Sequence, residues 1–434
     1  MKMNSRIALF VFALLFAAVE MRAQESTAVR PRTIAGATHA QQTPAPAAAP
    51  QTVAPQTATA LPKPDESESG LGVIEAKPQK NPAAPLTFLT PSVVQARISE
   101  ARRMLKTRPV PTASVPSIEF VTIAALDRET AHTHFITLSK QTFLTKGAEV
   151  NTVTSEGTNV NVRIIRANGV NTALTIFTPD GKSLAPLTVE YPIERGGKFL
   201  ETAYYTSAHP ALLSPDLVRS GQSYVRNMLD LAAKRLRDKG VTISPEIVNV
   251  AERLCVVEHV DHDRFRNENR LALYDEIYSL FALNELDTYR FSVSSAGAGG
   301  MVQMIPWAYN LLRTRHPGVG LIPDFVTGMR NHANALQAML LYMNDTWSDL
   351  NANDEVKNAL NTKLATTSEL LAAGYNSNAA KLPLYLKRGG DSWRTLIPRE
   401  TQMYLQIYKS FESLVPIQSR AADEKGSTLI RGQN

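Results

Sequence analysis

Between residues 117 and 205 apolar and polar positions tend to alternate. The runs I-E-F-V-T-I-A-A-L (118–126), H-F-I-T-L (134–138), N-V-N-V-R-I-I-R (159–166), T-A-L-T-I-F-T (172–178) and L-T-V-E-Y-P-I (187–193) are rich in β-branched residues. Such residues pack well on a pleated surface, so the runs predict strands. Asn168-Gly169 and Asp180-Gly181 supply turn chemistry between them. The expectation for 117–205 is a small β-sandwich of about six strands. His132 and His134 alternate along this stretch, a spacing that would also suit a ligand pair, and are read as a surface pair.

Elsewhere the apolar positions recur with the helical period. Thr90-Pro91-Ser92 opens a short helix in the stretch 85–107, with Val94, Ile98, Ala101 and Leu105 on one face. From 214 the pattern becomes helical and stays so. Ser214-Pro215-Asp216 is an N-cap with proline in the first turn, and Gly240 closes that helix. Ser244-Pro245-Glu246 opens the next, where Ile247, Ala251, Leu254 and Cys255 form an apolar stripe that Glu258 continues. A carboxylate on a buried stripe near a helix end calls for an explanation. Cys255, the single cysteine, has no disulfide partner and reads as a small buried hydrophobe.

Composition adds the chain's surroundings. Of 434 residues 44% are hydrophobic and 20% charged, as in a globular protein of more than one domain. The formal charge of +6 is spread thinly, with no arginine-lysine run, so an anionic cell-wall polymer suits it as well as nucleic acid, which is not expected as a partner. Lys2 and Arg6 precede an apolar stretch at 7–19 and a small residue, Ala23, which reads as a secretory signal over 1–23 and an exported, periplasmic or envelope location. The stretch is short for a membrane span and no later one approaches that length. Residues 24–84, rich in Ala, Pro, Thr and Gln, predict a tether, and 419–434 a polar tail.

The motifs lie in the helical part, 214–418. The run V-S-S-A-G-A-G-G-M-V-Q-M-I-P (293–306) contains Ser294, Gly297, Ala298, Gly300, Gln303 and Pro306. Glycines let backbone approach a ligand, and a glutamine amide both donates to and accepts from a sugar. L-A-A-G-Y-N-S-N (371–378) and I-P-R-E-T-Q-M-Y (397–404) follow. In this order the three blocks resemble the signature of the soluble-type lytic transglycosylases over about residues 240–415. The resemblance implies a mainly α, lysozyme-like catalytic domain, which with the small N-terminal β-sandwich-like domain read from the strand pattern makes an α+β chain. It also implies cleavage of the glycosidic bond between N-acetylmuramic acid and N-acetylglucosamine in peptidoglycan by one glutamate, leaving a 1,6-anhydro ring and needing no cofactor or metal. Ser294, Gln303, Tyr375 and Asn376 are the substrate-binding positions it implies, and envelope proteins are candidate partners of the strand region.

The glutamate departs from the family's pattern, in which Glu-Ser precedes the signature serine by about nine residues. Counting back nine from Ser294 reaches Glu285, whose helical face carries Tyr274, Tyr278 and Phe281. Glu258 has the better helix but is followed by His259 and lies further upstream, so residues 268–285 would be an inserted segment. Glu258 is the first choice and Glu285 the alternative. The dense run V-V-E-H-V-D-H-D (256–263) lacks the histidine spacing of zinc hydrolases. A hydrolysing muramidase would need a second carboxylate, with Asp287 or Asp263 nearest, and a glycan-binding protein without turnover is the reading from another class.

Overall fold

Among the described residues a helix comes first, then seven strands, then a long helical region. The computed structural model describes residues 89–108 and 117–420; the expected signal and tether, and residues 421–434 of the expected tail, lie outside these. The chain is α+β. Helices of ten or more residues are labelled here α1 (Pro91–Thr107), α2 (Pro215–Asp238), α3 (Pro245–Val257), α4 (Arg270–Asn284), α5 (Pro306–Arg315), α6 (His332–Asn351), α7 (Thr367–Asn376) and α8 (Arg399–Leu414). The strands are β1 (Phe120–Leu126), β2 (Thr133–Ser139), β3 (Glu149–Val153), β4 (Asn159–Arg166), β5 (Ala173–Phe177), β6 (Ser183–Arg195) and β7 (Lys198–Tyr205). Among the described residues no helix is long and apolar enough to cross a membrane.

The strands form one antiparallel sheet in the order β2-β1-β6-β5-β4-β3, with β7 also paired to β6. Seven strands appear where about six were expected. The sequence runs did not include β3, where E-V-N-T-V alternates exposed and half-buried positions, or β7, whose K-F-L-E-T opening sets two apolar residues side by side and buries none of its five residues. β6 spans 13 residues and joins the sheet's halves, pairing with β5 at its start and with β1 and β7 further on. β1 is buried on both faces. Its Val121, Ile123 and Ala125 enter the main apolar core, while Ala124 and Leu126 face a second core made with Val94, Ile98, Ala101 and Leu105 of α1.

The main core runs without a break from the strands into the helices. Buried Asn284, at the end of α4, fastens the two: its amide donates to the Thr206 carbonyl at 2.8 Å and accepts the Thr206 N–H at 2.9 Å. Arg330 pairs with Glu201 at 2.6 Å, and Arg166 of β4 with Glu276 of α4. α2 buries Leu217, Gly221, Val225, Leu229, Ala232 and Leu236, one residue every three or four, against α4 and its neighbours. A Cβ on Gly221 would lie 1.9 Å from the Tyr278 carbonyl oxygen, so the two helices approach as closely as they do because this residue has no side chain. α3, with nine of its 13 residues buried, packs on α2, α6, α7 and α8 and is the central helix. Cys255 within it is free and wholly buried, and burial pushes its thiol pKa up, as suits an inert core residue. Of the expected tail, Arg420 docks on Asp230, Asn249 and Glu252.

Asp127 closes the β1–β2 turn. Its carboxylate accepts from the Glu129 N–H at 2.9 Å and the Thr130 N–H at 3.4 Å, and pairs with Lys182 at 2.8 Å. Burial alone would raise its pKa, but the Lys182 ammonium and the hydroxyl and amide donors outweigh it and lower the pKa from 3.8 to about 2.

Two outcomes follow from these contacts. Gly221→Ala should destabilise the protein by about 3 kcal/mol or more, since the obstructing atom is backbone; a denaturant midpoint matching the wild type would show that α2 and α4 have slack. A depressed carboxyl contributes stability that is full above its unfolded pKa and lost as pH falls through the folded one. The stability gap between wild type and Asp127→Asn should therefore shrink from about pH 4 toward pH 2, and a gap constant across that range would contradict the assignment.

Candidate active site

The acidic, histidine-rich stretch at 256–263 divides at the end of α3. The helix stops at Val257, and Glu258 is its C-cap residue, with its N–H bonded to the Leu254 carbonyl at 3.0 Å. The stripe Ile247, Ala251, Leu254, Cys255 is buried and Glu258 prolongs it, only 3% exposed. Its Oε1 accepts a 2.6 Å hydrogen bond from the hydroxyl of Tyr404, itself buried on α8. His259 turns the other way. Its Nε2 donates to the Met301 carbonyl at 2.8 Å, which requires the proton on that nitrogen. Its ring stacks on Tyr289 at 3.4 Å between centroids.

The remaining residues of the stretch belong to the next turn. Asp261 caps the helix His262–Asn267 by accepting from the N–H groups of Asp263 and Arg264, and exposed Asp263 pairs with Arg266. Among the described residues, no group of three metal-binding side chains forms within this stretch.

The Gly-Ala block folds onto itself ahead of α5. Ser294 Oγ accepts from the N–H groups of Ala296 and Ala298 at 3.2 and 3.0 Å. Buried Gln303 donates through Nε2 to Ser292 Oγ at 3.0 Å and to the Gly300 carbonyl at 2.8 Å. Both side chains thus shape the loop that carries them. Gly300 has φ +68°, and a Cβ there would meet the Met329 carbonyl oxygen at 2.5 Å, so glycine is required on two counts. The rim of the block is apolar and open: Val293, Ile305 and Trp307 are exposed, Trp307 by 66%.

The other two blocks reach the same place. Tyr375, at the end of α7, donates its hydroxyl to the Val302 carbonyl at 2.7 Å and meets Tyr342 of α6 edge-on at 5.7 Å. Asn376 follows it and accepts at 2.9 Å from the hydroxyl of Thr401. Thr401 and Tyr404 are three apart on α8 and share a face. A closed ring results. Glu258 leads to His259, His259 to Met301, Val302 to Tyr375, Asn376 to Thr401, and Tyr404 back to Glu258, by four hydrogen bonds and short stretches of chain.

Glu285 does not join these bonds. α4 ends at Asn284, and Glu285 takes φ +46°, which carries it off the helical face and leaves it exposed while Tyr274, Tyr278 and Phe281 stay buried. The spacing to Ser294 therefore matches the family pattern without bringing the carboxylate into the apolar setting that the helical face had suggested. Sequence reasoning quoted Thr401 and Tyr404 within a block but gave them no role, and it gave none to His259 or Tyr289. The order of the blocks was the available signal for the first two; the stacking of His259 on Tyr289 left none.

Gly300→Ala should cost about 1–3 kcal/mol of stability through backbone strain and collision, read by chemical denaturation; a loss under about 0.5 kcal/mol would mean that the block is free to move away from Met329. No family model matches the chain, and neither a curated protein nor a solved structure matches it.

Proposed function

We propose that this chain is an exported peptidoglycan lytic transglycosylase whose helical part is a lysozyme-like catalytic domain and whose acid/base is Glu258. The observation that carries the reading is the setting of Glu258: a carboxyl 3% exposed at a helix C-terminus, hydrogen-bonded by a phenol and ringed by all three motif blocks. A carboxyl kept from bulk water and held at a fixed place by a phenol is the setting in which a general acid works.

In this reading protonated Glu258 gives its proton to the glycosidic oxygen as the bond to C1 of N-acetylmuramic acid breaks, and the N-acetylglucosamine leaves with a free 4-hydroxyl. The carboxylate then takes the proton of the muramic acid's own C6 hydroxyl, whose oxygen bonds to C1 and closes the 1,6-anhydro ring. The glutamate regains its proton and no water is consumed. Exposed Trp307 offers an apolar ring on which a sugar face stacks. Tyr375, bonded to the Val302 carbonyl, and Asn376, bonded to Thr401, hold the Gly-Ala block and α8 in place beside the acid, and Ser294 and Gln303 act by holding the loop in shape. The strand region holds the enzyme to the wall or to an envelope partner.

A muramidase needs a second carboxylate. Asp263 pairs with Arg266, and Asp287 lies 3.6 Å from both Arg102 and Arg290, so each nearest candidate is turned to a cation outside the ring. The close cover over Glu258 is the one observation favouring a glycan-binding protein without turnover.

Digestion of purified peptidoglycan, read by mass spectrometry, decides among these. The wild type should release anhydro-muropeptides, Glu258→Gln should slow release by about 100-fold or more, and Glu285→Gln should leave it unchanged. Loss only in Glu285→Gln overturns the choice of acid, reducing-end products indicate a hydrolase, and no products from the wild type indicate a binding protein.

A further inference from the structure

A second group of functional side chains lies in the sheet, on residues with no part in the proposed cleavage. His132 immediately precedes β2 and His134 is its second residue, and their rings come together on one side of the chain. Opposite them the turn between β3 and β4 presents Glu156. His134 Nδ1 lies 3.0 Å from Glu156 Oε2, His132 Nε2 lies 3.7 Å from Glu156 Oε1, and the imidazole rings meet edge-on at 4.9 Å. One ligand atom from each of the three residues falls within 4.8 Å of the others. Among the described residues this is the only set of three or more metal-ligating side chains so placed.

The third member is held in position by backbone. Ser155 donates its N–H to the Phe135 carbonyl at 2.9 Å, and its hydroxyl accepts from the Phe135 N–H at 3.3 Å, so the turn is fastened to β2 at the residue after His134. Thr154 closes the turn, accepting at 3.3 Å from the N–H groups of Glu156 and Thr158, and Gly157 supplies the φ of +82° that it needs. Ser155 Oγ donates to Glu156 Oε1 at 2.7 Å, the kind of outer contact that orients a ligating carboxylate. Exposure is graded: the His134 side chain is 12% exposed, Glu156 39% and His132 52%, so one side of the group faces solvent.

We propose that His132, His134 and Glu156 form a binding site for a divalent transition-metal ion, zinc foremost, with three protein ligands and an outward position left for water. Two imidazoles and a carboxylate are the donor set that zinc accepts, with bonds of about 2.0–2.2 Å. Ligand atoms around such an ion sit about 3.3 Å apart; here the carboxylate lies 3.0 and 3.7 Å from the two imidazoles and all three ligand atoms lie within 4.8 Å, so the group draws together around the ion on binding. The ion takes the place of the proton between His134 and Glu156, and it clips the β3–β4 turn to β2. This site is independent of the cleavage proposed above and its test does not use that activity.

The experiment is calorimetric titration of the full chain, freed of metal by chelator, with Zn2+ alone, alongside His132→Ala, His134→Ala and Glu156→Gln. The wild type should take up one equivalent and gain a few degrees in Tm, as a ligand of the native state does. Each variant, folded by circular dichroism, should bind more than about 100-fold more weakly, beyond the loss of an outer partner, and should lose the shift in Tm. Absence of saturable uptake by the wild type would overturn the site, and so would equal uptake by wild type and the three variants.

Discussion

The hydrogen bond from Tyr404 to Glu258 is the contact on which the rest of the proposed site depends, because it closes a ring that no single element could make. α3 supplies the carboxyl and, through the next residue, His259, a grip on the Met301 carbonyl. α7 grips the adjacent Val302 carbonyl through Tyr375. α8 touches both sides, at Asn376 with Thr401 and at Glu258 with Tyr404. Two consecutive carbonyls of the Gly-Ala block are thus each held by a side chain from a different element, which fixes the loop relative to the carboxyl. Positioning of this kind is what a proton transfer to a bound sugar needs.

The ring in turn relies on packing further out. α3 can place Glu258 under cover because it is buried along most of its length among α2, α6, α7 and α8. α2 can lie close to α4 because Gly221 leaves room for the Tyr278 carbonyl. α4 is tied at its end to the strand region by Asn284 and Thr206. The sheet is therefore joined to the helical part through one core rather than hung beside it, and α1 seals the strand face that would otherwise lie open.

Local periodicity made much of this legible. The caps at Ser214 and Ser244, the stripe ending in Glu258, and the strands between 118 and 193 all come from patterns that a few neighbouring residues suffice to set. β3 and β7 were not legible, since β3 has no buried residue and β7 is buried only toward its end, where Ala203 and Tyr205 enter the core. Glu285 shows the limit of spacing as evidence: its distance from Ser294 fits, but one residue with φ +46° turns it out of the apolar face. Ser294 and Gln303 were legible as residues of a special loop, yet their bonds lie within that loop. The partners of His259 and His134 could not be read at all, because Met301 and Glu156 are brought to them by the fold.

A crystal structure of the Glu258→Gln protein with a bound tetrasaccharide of alternating N-acetylglucosamine and N-acetylmuramic acid tests the central claim most directly. One glycosidic oxygen should lie within hydrogen-bonding reach of the side chain at 258, with the sugars lying along the 294–303 block and one ring against Trp307. A glycan seated against Glu285, or bound away from the ring altogether, would contradict it.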